Sequence, residues 1–149
     1  MSTRYQGSEE EIRALDTYIK LMRATGSVTY RAHTHLVEEK LTPSQFGVLE
    51  ALFHLGPLVQ RDLAEKLLVT GGNITMVVDN LEKRGLVLRK RDSDDRRFIY
   101  VYLTARGNEL IGRIFPMHAD VIRRELMALT ADEQNLLGKL CKKLGRKDT

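Results

Sequence analysis

The fold of this chain is decided by one stretch, TGGNITMVVDNLEKRGLVLRKRDSDDRR, which covers residues 70–97. Four apolar residues in its first half recur at helical spacing: Ile74, Val77, Val78 and Leu81. This spacing predicts a helix over residues 70–84, with one apolar face for a core and the other faces left available. Thr70 is a common N-cap residue and Gly85 a common helix terminator, so the predicted helix has a defined start and end.

The second half of the stretch predicts a β-hairpin. Residues 86–91 and 98–103 are rich in aliphatic, β-branched and aromatic side chains, which favour strands. Between them, residues 92–97 have the polar composition of a turn. A short helix with small polar side chains, followed by a basic ribbon, is typical of a winged helix-turn-helix.

Positive charge is concentrated in this stretch rather than spread over the chain. The whole sequence has 24 Lys and Arg against 20 Asp and Glu, a net charge of only +4. A run of cations lies at the end of the predicted helix and in the hairpin: Lys83, Arg84, Arg89, Lys90, Arg91, Arg96 and Arg97. Clustered cations indicate a polyanionic partner, and beside a predicted helix-turn-helix that partner is double-stranded DNA.

The residue types in the stretch predict two kinds of DNA contact. The residues expected at base edges, where Asn and Thr form hydrogen bonds and Met contacts a thymine methyl, are Gly72, Asn73, Thr75 and Met76. Thr70, at the start of the same helix, is also predicted to belong to the DNA-binding site. Lys90, Arg91 and Arg96 are expected at phosphates, which supply affinity rather than sequence information. Asp95 lies two residues before Arg97, so its carboxylate can orient that guanidinium toward the minor groove. The competing interpretations are a solvated helix face and an ordinary surface ion pair.

Capping signals predict where the other helices begin. Ser8, Thr42, Thr104 and Thr130 each precede an apolar pattern of helical spacing, and the first of these patterns continues to Leu36. The fold class is therefore α+β and mainly helical. We expect an N-terminal helix in residues 1–40 as part of a dimerisation region, a winged helix-turn-helix DNA-binding domain in 41–103, and C-terminal dimerisation helices in 104–149. The end helices have more apolar surface than one small domain can cover, which favours a homodimer.

Several functional classes find no support in the sequence. The single cysteine, Cys141, cannot form an intrachain disulfide, and we expect it to be buried in the last helix. The sequence has neither an apolar run long enough for a membrane span nor a signal peptide, so a cytoplasmic location is expected. We find no phosphate-binding glycine loop, no nucleophile with a supporting base and no metal-ligand cluster, so we expect neither an enzyme nor a cofactor.

Two alternatives to a ligand-responsive DNA-binding protein stay open. One is a metal- or redox-responsive regulator of the same fold. His33 and His35 lie two residues apart on a predicted helix, so they cannot share a face as metal ligands spaced by four residues do. The other alternative is a winged-helix protein-interaction module without DNA binding, against which the basic hairpin argues.

Blocks of the sequence resemble the MarR family of bacterial transcriptional regulators over nearly the whole chain. The similar blocks are LA at 63–64, NIT at 73–75, VDNLEKRGLV at 78–87, DRR at 95–97 and VYLTARG at 101–107. The spacing between the blocks also matches the family pattern. The chain departs from it at Met76, where many members have Arg, and at Leu68, where Gly is frequent. No cysteine lies near the first helix, so the thiol mechanism of the family's peroxide sensors does not carry over.

The resemblance implies a homodimer with two winged domains on a pseudo-palindromic operator. It also implies a repressor that a small phenolic, quinone-like or lipophilic effector releases from DNA, and residues 115–119 are similar to the quinone-responsive branch. The effector pocket is expected where the dimerisation helices meet the winged domain. Its candidate residues, chosen by position and with core packing as the competing interpretation, are Tyr18, Met22, Tyr30, His33, Phe53, His54, Phe115 and His118.

Overall fold

The computed structural model describes residues 2–67 and 71–146. The described residues form, in chain order, α1 (Glu9–Ala32), a 3₁₀ helix (Thr34–Val37), α2 (Pro43–Leu55), β1 (Leu58–Val59), α3 (Gln60–Leu67), α4 (Gly71–Lys83), β2 (Val87–Arg91), β3 (Ile99–Leu103), α5 (Ala105–Leu126) and α6 (Ala131–Gly145). The chain divides into a central unit, residues 33–118, and a terminal unit formed by the two ends of the chain, up to residue 32 and from residue 119. The mainly helical α+β class predicted from the sequence is confirmed.

The core of the central unit joins α2, α3, α4, α5 and the sheet. Its large, fully buried side chains include Phe46, Leu49, Leu63, Ile74, Leu81 and Ile111. The apolar face predicted for α4 is confirmed, since all four of its apolar residues, 74, 77, 78 and 81, are buried. The predicted N-cap of this helix, Thr70, lies outside the described residues, as does Leu68.

A three-stranded antiparallel sheet has the order β1-β3-β2. The hairpin predicted over residues 86–103 is confirmed, with each strand starting one residue later than expected. Strand β1 was not foreseen, because its two residues are too few to show a period. In the register, Lys90 pairs with Tyr100 and Arg89 pairs with Val101. Since Val101 is fully buried, Arg89 lies on the inner face of the hairpin and Lys90 on the outer one.

The first helix is shorter than the sequence pattern predicts. Helix α1 ends at Ala32, and His33 separates it from the 3₁₀ helix, in which the amide of Leu36 donates to the carbonyl of His33 at 3.1 Å. Leu36 is 1% exposed and belongs to the core of the central unit. The prediction of one helix through Leu36 was wrong because apolar spacing of three to four residues fits an α-helix and a following 3₁₀ turn equally well.

The predicted capping residues are confirmed by their hydrogen bonds. The Thr42 and Thr130 hydroxyls accept from the amides of Gln45 at 3.1 Å and Glu133 at 3.2 Å, and the Gln45 and Glu133 side chains accept in return from the Thr42 and Thr130 amides. The same reciprocal pair joins Ser8 and Glu11. These pairs satisfy amides at helix starts that have no partner within the helix.

The last helix leaves its apolar residues uncovered in this chain. No residue of α6, all of which the structure describes, is buried. Its four leucines, at 136, 137, 140 and 144, are between 41% and 62% exposed, and Cys141 is exposed with them. The expectation that Cys141 is buried was wrong, because the α6 stripe has no cover within one chain.

None of the described helices is long and apolar enough to cross a bilayer.

Helix α5 starts in close contact with Leu86, the residue just before β2. The Thr104 amide donates to the Leu86 carbonyl at 3.1 Å, and the Thr104 hydroxyl accepts from the Gly107 amide at 3.0 Å. A Cβ atom added to Gly107 would lie 2.0 Å from the Leu86 oxygen. Only glycine therefore fits at this point of α5, where the helix and the backbone before β2 touch.

We expect Gly107→Ala to lower the free energy of unfolding by about 2 kcal/mol or more, because the added methyl group must push the Leu86 backbone away. Gly112→Ala is the matched control on the same helix, where the nearest side-chain atom, on Phe53, is 3.9 Å away. There we expect a gain of about 0.4–1 kcal/mol from the lower entropy of the unfolded chain. Urea unfolding of both variants measures the difference, and equal effects would contradict the close contact.

Candidate nucleic-acid interface

Helix α4 exposes the polar side chains that the sequence predicts at base edges. Asn73, Thr75 and Met76 are exposed, with Met76 at 59%, whereas the apolar face is buried. Gly72 lies in the first turn of the helix. The Thr75 hydroxyl accepts a hydrogen bond of 2.9 Å from the side chain of Gln60 at the start of α3. This bond joins α3 to the exposed face of α4.

The loop of the hairpin holds Arg97 in a defined orientation. Its guanidinium donates to Asp95 from Nη2 at 2.7 Å and from Nε at 3.0 Å, and its amide donates to the same carboxylate at 3.1 Å. These hydrogen bonds lower the pKa of Asp95 and raise that of Arg97, so both groups are charged at neutral pH. The predicted pair is confirmed, and the Arg97 side chain remains 86% exposed.

The other cations of the hairpin also face solvent. Lys90, Arg91 and Arg96 are exposed. Nη1 of Arg91 donates to the backbone oxygen of Arg96 at 2.7 Å, and the Asp94 amide donates to the Asp92 carboxylate at 3.2 Å. The turn is thus closed by its own polar groups, and its charged side chains are displayed on a defined backbone.

Arg89, which the sequence did not single out as a site residue, joins the hairpin to α4. Its guanidinium forms an ion pair with Asp79, donates to the Thr75 carbonyl at 3.2 Å, and lies 3.9 Å from Glu82. Its amide donates to the Glu82 carboxylate at 3.0 Å. A signal was present in the sequence, because a cation on the inner face of a strand requires a carboxylate partner there. This contact fixes the hairpin of β2 and β3 with its loop, called the wing from here on, relative to the exposed face of α4.

A second contact missed from the sequence lies at the loop end of the hairpin, just before β3. The Arg61 guanidinium is 5.6 Å from the centre of the Phe98 ring, a distance typical of a cation–π contact. Beside it is a cavity of about 370 Å³ lined by Val59, Gln60, Arg61, Arg97, Phe98 and Ile99. The cavity lies between the start of α3 and the residues that lead into β3.

The end of α4 is held by a separate network. Arg84 donates to the carbonyls of Lys40 at 2.8 Å and Glu39 at 3.2 Å. The Glu39 carboxylate accepts two hydrogen bonds from Arg113 of α5, at 2.8 and 3.0 Å, which lower its pKa. Arg84 is therefore used for structure, although the sequence counted it among the clustered cations.

Comparison with known proteins gives the chain a family. The family model for the MarR family matches residues 41–99. HTH-type transcriptional regulator YkoM of Bacillus subtilis is 39% identical over 93% of this chain and 90% of its own length. MhqR of the same organism, also an HTH-type transcriptional regulator, is 34% identical over 89% of this chain and 92% of its length. The chain belongs to the MarR family.

A solved structure agrees with this assignment. BpsR of Bordetella bronchiseptica, described with a mechanism by which 6-hydroxynicotinic acid regulates its DNA binding, has a TM-score of 0.83 and 25% identity. The match covers 98% of this chain and 100% of that one. This MarR-family chain is thus a transcriptional regulator with a winged helix fold.

In this MarR-family chain the predicted effector residues fall in both units. Tyr18, Met22 and Tyr30 lie on α1 in the terminal unit and are exposed. The central unit contains a chain of aromatic rings in which His118 lies 5.9 Å from His33 and 6.2 Å from Phe115. The ring of His54 continues the chain, 4.5 Å from Phe115 and 5.1 Å from Phe53. An effector pocket at these residues stays a prediction.

His33 and His35, the two histidines after α1, both lie beside the ring of His118. Because α1 ends at Ala32, His33 and His35 both reach the nearly buried His118, with ring centres at 5.9 and 5.3 Å. The expectation that they cannot share a face rested on a continuous helix and was wrong. Even so, within residues 2–67 and 71–146 no group of three His, Cys, Asp or Glu side chains has the arrangement to hold a metal ion.

The adjacent residues Arg89 and Lys90 are expected to differ in their effect on stability when each is changed to Gln. Arg89→Gln removes hydrogen bonds to charged partners and should lower the free energy of unfolding by about 1–2 kcal/mol. Lys90→Gln, on the outer face, should change it by less than about 0.5 kcal/mol but weaken binding to any duplex DNA. Urea unfolding and fluorescence anisotropy separate the two effects. A Lys90 variant as unstable as the Arg89 variant would refute the assignment of faces.

Proposed function

We propose that this transcriptional regulator is a ligand-responsive repressor that binds a pseudo-palindromic DNA operator as a homodimer. One observation carries the proposal. The exposed polar face of α4 and the Arg97 side chain, which Asp95 orients, belong to two elements that Arg89 joins by hydrogen bonds and an ion pair. Such a pair fits a duplex, because the helix suits the major groove and a guanidinium suits a narrow minor groove.

The two kinds of DNA contact follow from the exposed groups. This proposal places Asn73, Thr75 and Met76 in the major groove, together with Gly72 in the first turn of α4. Thr70, which lies outside the described residues, keeps its predicted place in the DNA-binding site. Lys90, Arg91 and Arg96 contact phosphates and set the overall affinity. The Asp95 carboxylate is already neutralised by Arg97, so it does not repel the backbone.

The homodimer is supported by the uncovered surface of the terminal unit. The leucine stripe of α6 is largely exposed, and exposed apolar surface of this extent marks an interaction site. A second copy of the chain is the partner that suits a pseudo-palindrome, since it supplies a second α4. The two helices must then lie about 34–36 Å apart to enter successive major grooves.

The effector is proposed to be a small phenolic, quinone-like or other lipophilic molecule. The support is the chain of His and Phe rings in the central unit and the relative BpsR, whose DNA binding 6-hydroxynicotinic acid regulates. Release from DNA requires only that the ligand bind more tightly to a dimer whose α4 helices are spaced differently than to the dimer whose spacing fits DNA. Repression is then occupancy of the promoter, and no chemistry by the protein is involved.

The DNA-binding function is tested with duplexes that the wild-type chain selects from a random-sequence pool. We expect a two-fold pseudo-symmetric consensus and binding that weakens steeply with salt. Arg97→Ala should lower affinity for the selected duplex on the order of tenfold per subunit, with the urea midpoint of wild type. Arg23→Ala, an exposed arginine of α1, is the matched control and should bind as wild type. Enrichment of no sequence, or full affinity in the Arg97 variant, would contradict the proposal.

A further inference from the structure

The cavity at the loop end of the hairpin lies between the two elements proposed to enter DNA. On one side, Gln60 is bonded to Thr75 on the exposed face of α4. On the other side is Arg97, which lines the cavity from the loop of the hairpin. A major groove and the neighbouring minor groove are separated by one sugar-phosphate strand. The protein surface between α4 and Arg97 must therefore face that strand.

The charges at this cavity suit a phosphodiester. Arg61 has no ion pair among the residues that the structure describes, and the Asp95 carboxylate is already paired with the guanidinium and the amide of Arg97. The cavity of about 370 Å³ is much larger than one phosphate group, so entry is not limited by space. The cavity thus has the Arg61 guanidinium, whose charge is not balanced by a carboxylate of the described residues, and the Arg97 guanidinium, whose charge is balanced by Asp95.

Phe98 gives the Arg61 guanidinium a fixed position. The ring lies 5.6 Å below it, and arginine stacks on aromatic faces through its planar, weakly hydrated head. A side chain held in place before binding loses less conformational entropy when it meets its ligand. The contact also joins α3 to the residue before β3, so a phosphate bound by Arg61 is linked to both elements.

We propose that this cavity is the seat for one backbone phosphate of DNA, bound by Arg61, with Phe98 as the residue that positions the guanidinium. The proposal rests on the DNA-binding function above and adds a contact to it. Each subunit holds the strand that runs between its α4 and its wing, and so fixes how far the helix enters the major groove. The contact is independent of base sequence.

The test measures DNA affinity against salt for Arg61→Gln, using fluorescence anisotropy between about 50 and 200 mM KCl. Two probes are used: a duplex selected by the wild-type chain and a scrambled duplex of the same composition. We expect a loss of about threefold to tenfold per subunit on both probes, and a slope of log affinity against log salt that is shallower by about 0.9 per subunit. Arg23→Gln, with the same charge change in α1, should leave affinity and slope unchanged.

Two further variants separate charge from position. Arg61→Lys keeps the charge and should keep the wild-type slope, with weaker binding because the compact, strongly hydrated ammonium is held less well by the Phe98 ring than the planar guanidinium. Phe98→Leu should lower affinity about twofold to fivefold on both probes. If it binds both as tightly as wild type, the positioning role is wrong.

The outcomes also separate this inference from the function on which it rests. Wild-type affinity and slope in Arg61→Gln would overturn the phosphate seat and leave DNA binding intact. A loss confined to the selected duplex would equally overturn it, because it would show base readout. If wild type itself binds neither duplex in a salt-dependent way, the proposed function fails, and the inference fails with it.

Discussion

The contact of Arg89 with helix α4 is the constraint on which the proposed DNA-binding surface depends. The hairpin is anchored to the domain by Val87 and Val101 in the core, and outside the core the Arg89 guanidinium and amide on β2 contact α4 at Asp79, Glu82 and the Thr75 carbonyl. Because these partners lie on the helix proposed to read bases, the wing and the helix share one orientation. The contact therefore contributes to the orientation of the hairpin as well as to stability, and the partial exposure of its carboxylates limits the second contribution.

Other contacts extend this frame around the helix. Gln60 joins the start of α3 to Thr75, and Arg61 on Phe98 joins the same helix to the beginning of β3. At the far end, Arg84 attaches the residue after α4 to the turn that follows the 3₁₀ helix, and through Glu39 to α5. Helix α5 is where the chain leaves the central unit. A ligand that altered α5 would therefore act on an element linked to α4 through two hydrogen-bonded arginines.

The sequence predicted what depends on near neighbours and missed what depends on distant ones. The α4 face, the capping boxes at Thr42 and Thr130 and the Asp95 to Arg97 pair involve residues two to four apart, so spacing alone identified them. Gln60 with Thr75 and Arg61 with Phe98 come from separate elements, and no local pattern joins them. The end of α1 at Ala32 was missed because Leu36 keeps the helical spacing, and that error also misplaced His33 and His35. The burial of Cys141 was predicted wrongly because nothing in the described part of one chain packs over the apolar stripe of α6.

The central claim is that α4 and the wing act as one rigid unit that occupies a major groove and the adjacent minor groove together. Dimethyl sulfate footprinting tests it directly, because this reagent methylates guanine N7 in the major groove and adenine N3 in the minor groove. The account predicts that wild-type protein protects N7 positions in two patches about one helical turn apart, and N3 positions in the minor groove beside each patch. Protection in only one kind of groove, or in a single patch, would contradict it.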